Sequence, residues 1–216
     1  MIGGEGPANP AWMGAGAWED YAKQEGAAMV LLEHRYYGES HPTEDLGVKS
    51  MVWLSSRQAL ADLAAFTLAM REQESLVGPW VALGGSYPGS LAAWYRQKYP
   101  HLVAGAVSTS GPLLAKADFY EYLEVVTASL DTVSRTGFIL TAEYHYTAPQ
   151  VPGCVAAAQE AVAAVQQLLA EDRRGWAALA QKFRLCSRLD GGNTEDVANL
   201  MEALIGNLEG VVQYNR

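Results

Sequence analysis

The chain has 216 residues, 15 of them basic and 24 acidic, giving a formal charge of −9 and a sequence pI near 4.9. Half of the residues are hydrophobic and 18% are charged, which excludes a disordered acidic tail, because such a tail lacks core formers. No basic stripe exists to meet phosphates, which argues against nucleic-acid binding, and no apolar run approaches the roughly 20 residues that a membrane span needs.

Met1-Ile2-Gly3-Gly4-Glu5-Gly6-Pro7 carries neither the basic start nor the apolar stretch of a signal peptide. It reads as the end of a strand running into a glycine-rich loop. With a C-terminus at Val211–Arg216 that has no closing signal, the chain is expected to be a piece of a longer protein. Ala17 to Gln24 has helical composition, and Gly26 sits where that helix would stop. The continuous apolar run Ala27–Leu32 predicts a strand buried on both faces. Tyr37 to Pro42 is a loop by its glycine and proline.

A long helix is predicted over Ser55–Arg71, with Ser55 or Ser56 as its cap and Leu60, Leu63, Ala64, Phe66, Thr67 and Met70 on one face. Gly78-Pro79 breaks the chain. Trp80–Leu83 reads as a strand, Gly84–Gly89 as a tight turn, Ser90–Tyr99 as a helix and Leu102–Val107 as another strand. Repeated strand–helix units with short connections predict a parallel sheet with helices on both faces.

From Asp118 the character changes. Helices are expected over Asp118–Val133, with Asp118 as the cap, and over Cys154–Ala170, Trp176–Leu185 and Asp196–Leu208. The stretch 137–152 is aromatic and irregular. The predicted division is therefore an α/β part over 1–115 and a helical region over 116–216. Two cysteines, Cys154 and Cys186, can be two free thiols or a pair. A pair would close a loop of about 30 residues, stabilise by roughly 3–4 kcal/mol and imply an oxidising compartment.

The turn Gly84-Gly85-Ser86-Tyr87-Pro88-Gly89 is where chemistry is expected. A serine on a sharp strand-to-helix bend is lifted above the carboxyl edge of the sheet, and the helix aims its first amides at a developing oxyanion. The glycines let strand and helix approach closely. A G-x-S-x-x-G string alone arises by chance in roughly one chain in fifteen of this length, so its setting between strand and helix carries the weight.

Four ordered motifs add to it: Gly3-Gly4-Glu5-Gly6, Glu33-His34-Arg35-Tyr36-Tyr37-Gly38-Glu39-Ser40, Leu54–Asp62, and Gly84–Trp94. Together they resemble the prolyl carboxypeptidase family of serine peptidases, strongly over 3–115 and more thinly beyond. The resemblance implies an α/β-hydrolase core, present in part, with an inserted helical cap. It implies Ser86 as nucleophile, the Tyr87 amide as one oxyanion donor and the Gly4-Glu5 loop as the source of the second. It implies peptide substrates (several members cleave after proline), no cofactor, no metal, and a lysosomal, endosomal or secreted full-length protein that could form a homodimer. The vesicular setting of family members points to a Cys154–Cys186 disulfide.

Pro88 departs from the family, which usually has a small residue there. Proline disfavours the helical region for the residue before it, so Tyr87, and with it the proposed oxyanion amide, is expected to be displaced. The stretch 137–152 also departs from the family.

A serine needs a base, and the base an orienting acid. In this fold the order is Ser, then Asp or Glu, then His. Only His101 and His145 follow Ser86. His101 is expected to cap the end of the elbow helix, and His145 lies in the irregular stretch. The two missing partners are expected after the helical insertion, so the isolated chain should be inactive. An esterase or lipase on the same fold, and a non-catalytic product that binds peptide or a partner, are the alternatives. Arg35 is expected to serve in a structural ion pair, and Ser108, Thr109 and Ser110 in turn hydrogen bonds. The spacing of Glu33, His34, Glu39 and His41 fits no familiar zinc pattern.

Overall fold

A computed structural model describes residues 1–136, 138–140, 145–147 and 153–214, with side chains described for 1–131 and 153–214. The chain divides into two compact units, Met1–Ala115 and Lys116–Arg216.

In the first unit α1 (Ala17–Glu25) ends on Gly26, which takes the left-handed conformation at φ 58° and donates its amide back to the last turn. That conformation suits glycine because it has no Cβ. α2 (Ser56–Gln73) starts behind Ser55, whose hydroxyl accepts from the Gln58 amide and so satisfies an orphan donor of the first turn. Its apolar spacing buries Ala59, Leu60, Leu63, Ala64 and Thr67, while Phe66 and Met70 are half-buried. β1 (Val81–Gly85), α3 (Tyr87–Lys98) and β2 (Gly105–Thr109) follow. β1 and β2 pair in parallel, with Val81 opposite Gly105 and Gly85 opposite Thr109.

The apolar run at 27–32 makes a much shorter pairing than expected. Among the described residues its one bridge is a parallel one between Ile2 and Leu32. Gly3 donates to the Leu32 carbonyl at 2.8 Å and Leu32 to that of Met1 at 3.2 Å, while Ile2 donates to the Leu83 carbonyl at 2.9 Å. Pairing stops where Met1–Gly3 stops offering partners. The lateral order is thus 30–32, 1–3, β1, β2. The chain leaves the 1–3 segment to one side, crosses back, and enters β1 on the other.

α3 packs on both β1 and β2 and lies beside α2. The core holds Ile2, Leu60, Leu63, Leu91, Tyr95, Leu102 and Val103. Full burial of a side chain such as Leu91 contributes about 1.5–3 kcal/mol. Tyr95 ties the two helices by donating to the Leu63 carbonyl (3.2 Å) and Thr67 Oγ1 (2.9 Å). α1 buries no residue, so the packed helical layer lies on the α2–α3 side.

The second unit contains α4 (Glu121–Thr136), β3 (Phe138–Leu140), β4 (His145–Thr147), α5 (Cys154–Ala170), α6 (Asp172–Phe183) and α7 (Thr194–Gln213). Two expectations need correction. Within 137–152, read as irregular, β3 and β4 form a short antiparallel hairpin. α4 begins at Glu121 rather than Asp118, its first turn entered through bonds from Tyr122 and Leu123 to the Phe119 and Tyr120 carbonyls. Val165, Leu179 and Leu200, one from each of α5, α6 and α7, make the buried centre, with Leu168, Leu169, Leu185 and Leu204 around them. A Cβ on Gly175 would overlap the Leu168 carbonyl, which fixes how closely α6 crosses α5. No helix among the described residues is long and apolar enough to cross a membrane.

Candidate active site

Ser86 sits between the last residue of β1 and the first of α3. Its backbone is at φ 59° and ψ −133°. A non-glycine residue there carries strain of about 1–3 kcal/mol, which persists only where the surroundings over-determine it. They do so here. The Ser86 amide donates to the Thr109 carbonyl at 3.0 Å, extending the β1–β2 ladder one residue past Gly85. The Ser86 carbonyl accepts from Gly89 (2.9 Å) and Ser90 (3.2 Å) and opens α3. On the inner side, a Cβ on Gly84 would overlap the Pro88 carbonyl, so strand and helix touch through bare backbone.

The side chain of Ser86 is exposed, and its hydroxyl has no hydrogen-bond partner among the described residues. The Tyr87 amide likewise donates to nothing among them, and it belongs to the positive end of the helix. Pro88 does not expel Tyr87 from the helix as expected: Tyr87 is its first residue and Pro88 its second. Proline fits in the first turn because its missing N–H is one that the helix leaves unpaired anyway.

The glycine-rich loop after the 1–3 segment comes to the same place. A Cβ on Gly4 would stand 2.9 Å from Pro88 Cγ, so this loop lies directly on the start of α3. The Glu5 carboxylate is near enough to act on the Tyr87 phenol. Burial, first, and the Glu5 charge hold that phenol above its ordinary pKa, against the pull of its bond with Ser56. The lateral order explains the meeting: the 1–3 segment and β1 are neighbours in the sheet, so the loop that leaves the first and the helix that follows the second start side by side.

From the side chain of Tyr87, next to Ser86 in sequence, runs a polar chain that the sequence did not reveal. His34, 5% exposed, has Nδ1 at 2.8 Å from the Arg35 carbonyl. A carbonyl can only accept, so Nδ1 carries the proton. In the neutral ring Nε2 then accepts from the Tyr87 hydroxyl at 3.0 Å, and Tyr87 accepts from Ser56 Oγ at 3.2 Å. These residues come from three separate motifs, and only the fold brings them together. Arg35 forms a fork with Asp62, with both N–O distances at 2.6 Å, and also donates to the Trp53 carbonyl. Its role is the structural ion pair.

His101 is exposed and lies against Tyr99, beyond the far end of α3. The side chain of His145 lies outside the described residues. Cys154 is half-buried at the start of α5 and Cys186 is exposed past the end of α6; both are free thiols, and no bond joins them. A Cβ on Gly111, in the turn after β2, would stand 2.6 Å from Ser108 Oγ, and the Thr109 carbonyl at the end of β2 accepts from the Ser86 amide. No cluster of three potential metal-ligating side chains occurs among the described residues. Two crevices flank the 1–3 segment, one against Glu33, Asp62 and Leu91 and one against Phe66, Trp80 and Val103; neither includes Ser86.

A small parallel sheet with helices packed on it and a serine on a strained strand–helix bend place the chain among mixed α/β proteins. The chain belongs to the serine carboxypeptidase S28 family, whose model matches residues 1–216. It is 40% identical to mouse thymus-specific serine protease over 99% of this chain and 40% of that protein. The human thymus-specific serine protease is 38% identical over 99% of this chain and 39% of its own length. Human lysosomal Pro-X carboxypeptidase is 46% identical over 44% of this chain and 20% of its own length. The chain thus spans about two fifths of the relatives that it matches end to end.

Proposed function

We propose that this chain carries the nucleophile-bearing part of a serine peptidase of the exopeptidase kind. The hydroxyl of Ser86 attacks a peptide carbonyl carbon and passes its proton to a general base. The carbonyl oxygen becomes an oxyanion held by the Tyr87 amide and by an amide of the Gly4-Glu5 loop. Collapse expels the amine, which takes the proton, and water then hydrolyses the acyl-enzyme. The observation that carries this reading is the bend itself: a serine forced to φ 59° over the meeting of Gly4 with Pro88. Units 1–115 and 116–216 are read as the core and the cap.

The base and its acid are assigned to the portion of the relatives' length that this chain does not cover. The relatives' names support peptide substrates and a lysosomal location; an endosomal or secreted location and cleavage next to proline are further readings to test. The unpartnered hydroxyl of Ser86 favours a second reading for the isolated chain, a product that binds peptide without cleaving it.

A fluorophosphonate probe tests both. It should leave the 216-residue chain essentially unlabelled, yet label Ser86 once the chain is joined to the remaining C-terminal part of the mouse relative. Ser86→Ala should abolish that labelling. Equal labelling of the alanine variant would sink the assignment. A panel of X-Pro peptides and simple esters on the joined protein separates peptidase from esterase.

A further inference from the structure

Glu33 lies at the end of the 30–32 segment, and its carboxylate spans two loops. Oε2 accepts from the Ala8 amide at 2.7 Å, on the loop that leaves the 1–3 segment. Oε1 accepts from the amides of Glu39 and Ser40, both at 2.8 Å, on the loop that leads away from the sheet. Three backbone donors converge on one side chain. Gly38 crosses so closely that a Cβ there would overlap the carboxylate, so the pocket around it is fitted. The Ala8 bond most of all, then the Ser40 hydroxyl, then the Glu39 and Ser40 amides hold the group below the usual glutamate pKa against the effect of burial. At the near end of the same loop, Gly4 rests on Pro88, while Glu5 and Gly6 between the two anchors make no hydrogen bond among the described residues.

We propose that Glu33 is the positioning residue of the Gly4–Ala8 loop, fixing it to the 38–40 loop so that its amides stay beside Ser86. The proposal rests on reading this loop as an oxyanion donor. Glu33 itself touches no reacting atom. It acts as a charged bracket, and a carboxylate is the side chain that can accept from both sides at once, since an amide offers only one accepting atom.

Two variants test it. Glu33→Gln keeps the shape and loses one acceptor. Ala8→Pro deletes the single N–H and leaves the carboxylate on Glu39 and Ser40. Amide hydrogen exchange is measured on the 216-residue chain, with the thermal midpoint as control. Glu33→Gln should speed exchange of the Ala8, Glu39 and Ser40 amides about tenfold or more, and Ala8→Pro should leave those of Glu39 and Ser40 protected, with little change in α2 and α3 in either variant. Unchanged exchange of the Ala8 amide in Glu33→Gln would overturn the proposal.

In the joined protein, phosphonylation of Ser86 by the probe gives the second readout. The maximal labelling rate should fall about tenfold or more in both variants, with the probe's binding constant within about twofold, because only the charged intermediate needs the donor. A loosened loop with an unaltered maximal rate would also overturn it. Failure of the unsubstituted joined protein to label would count against the peptidase reading, while the exchange arm still decides the role of Glu33.

Discussion

In the 216-residue chain taken by itself, the amine of Met1 is a charged group placed in a buried position. It donates to the Val30 carbonyl at 2.6 Å, and burial lowers its pKa from 8.0 to about 6. The charged form is penalised in the folded chain, so between pH 6 and 8 the unfolded chain binds more protons and stability rises with pH. The penalty is absent above pH 8 and complete below pH 6, amounting to about 2–3 kcal/mol for a shift of this size. Urea titrations at pH 8 and pH 6 should differ by about that much. Acetylating Met1, which removes the charge and keeps an N–H for Val30, should flatten the difference; an unchanged slope would exclude the amine as its source.

At this scale the sequence said where chemistry should lie but not how it is braced. Ser86, Tyr87 and Gly4 are expected from a motif and its setting, and the fold brings Gly4 to the start of α3, next to Ser86. His34, Ser56, Glu33 and the Thr109 carbonyl could not be found that way, because their use depends on which strands become neighbours. The effect of Pro88 was misread for a local reason. The preference against helix before proline is real, but the first turn of a helix is where other demands outweigh it.

Among the elements, those with a cap or a stripe were the easiest to read. α2 and α5 lie within two residues of their expected ends because Ser55 and a long alanine-rich run mark them. α3 starts three residues early, since Pro88 and Gly89 look like a turn and also suit a first helical turn. α7, expected to end at Leu208 with Gly206 already inside it, runs on through Gly210 to Gln213; packing of Leu200, Met201 and Leu204 outweighs the propensity cost of the glycines. In the second unit the weight falls on Leu179, which is 0% exposed between α5 and α7. Leu179→Ala should destabilise by about 2–5 kcal/mol. Chemical denaturation followed by helical circular dichroism would register it, and a loss under 1 kcal/mol would mean that this cluster is not a core.

For the whole molecule, the change of character near residue 118 was visible as a loss of apolar strand runs, and the chain divides into units at 115/116. The lateral order of the strands was not visible. Parallel pairing joins segments far apart in sequence, and nothing in the three residues Met1–Gly3 announces that they lie between 30–32 and β1. That placement brings Gly4 to Pro88 and, through Glu33, a third loop to the same corner. β2 has one paired neighbour among the described residues, and Val107 on it is exposed, so its free edge offers a row of unpaired backbone groups.

The bare backbone contact between Gly84 and Pro88 has an evolutionary corollary. Where a strand and a helix meet with no room for even one methyl group, the codon has nowhere to drift. A saturation library at residue 84, sorted for soluble folded protein, should return glycine almost alone, with alanine already disfavoured by about 1–3 kcal/mol of overpacking. Recovery of alanine or serine at parental melting temperature would mean that the junction can widen, and that a serine beside it could be carried by a far more permissive hinge.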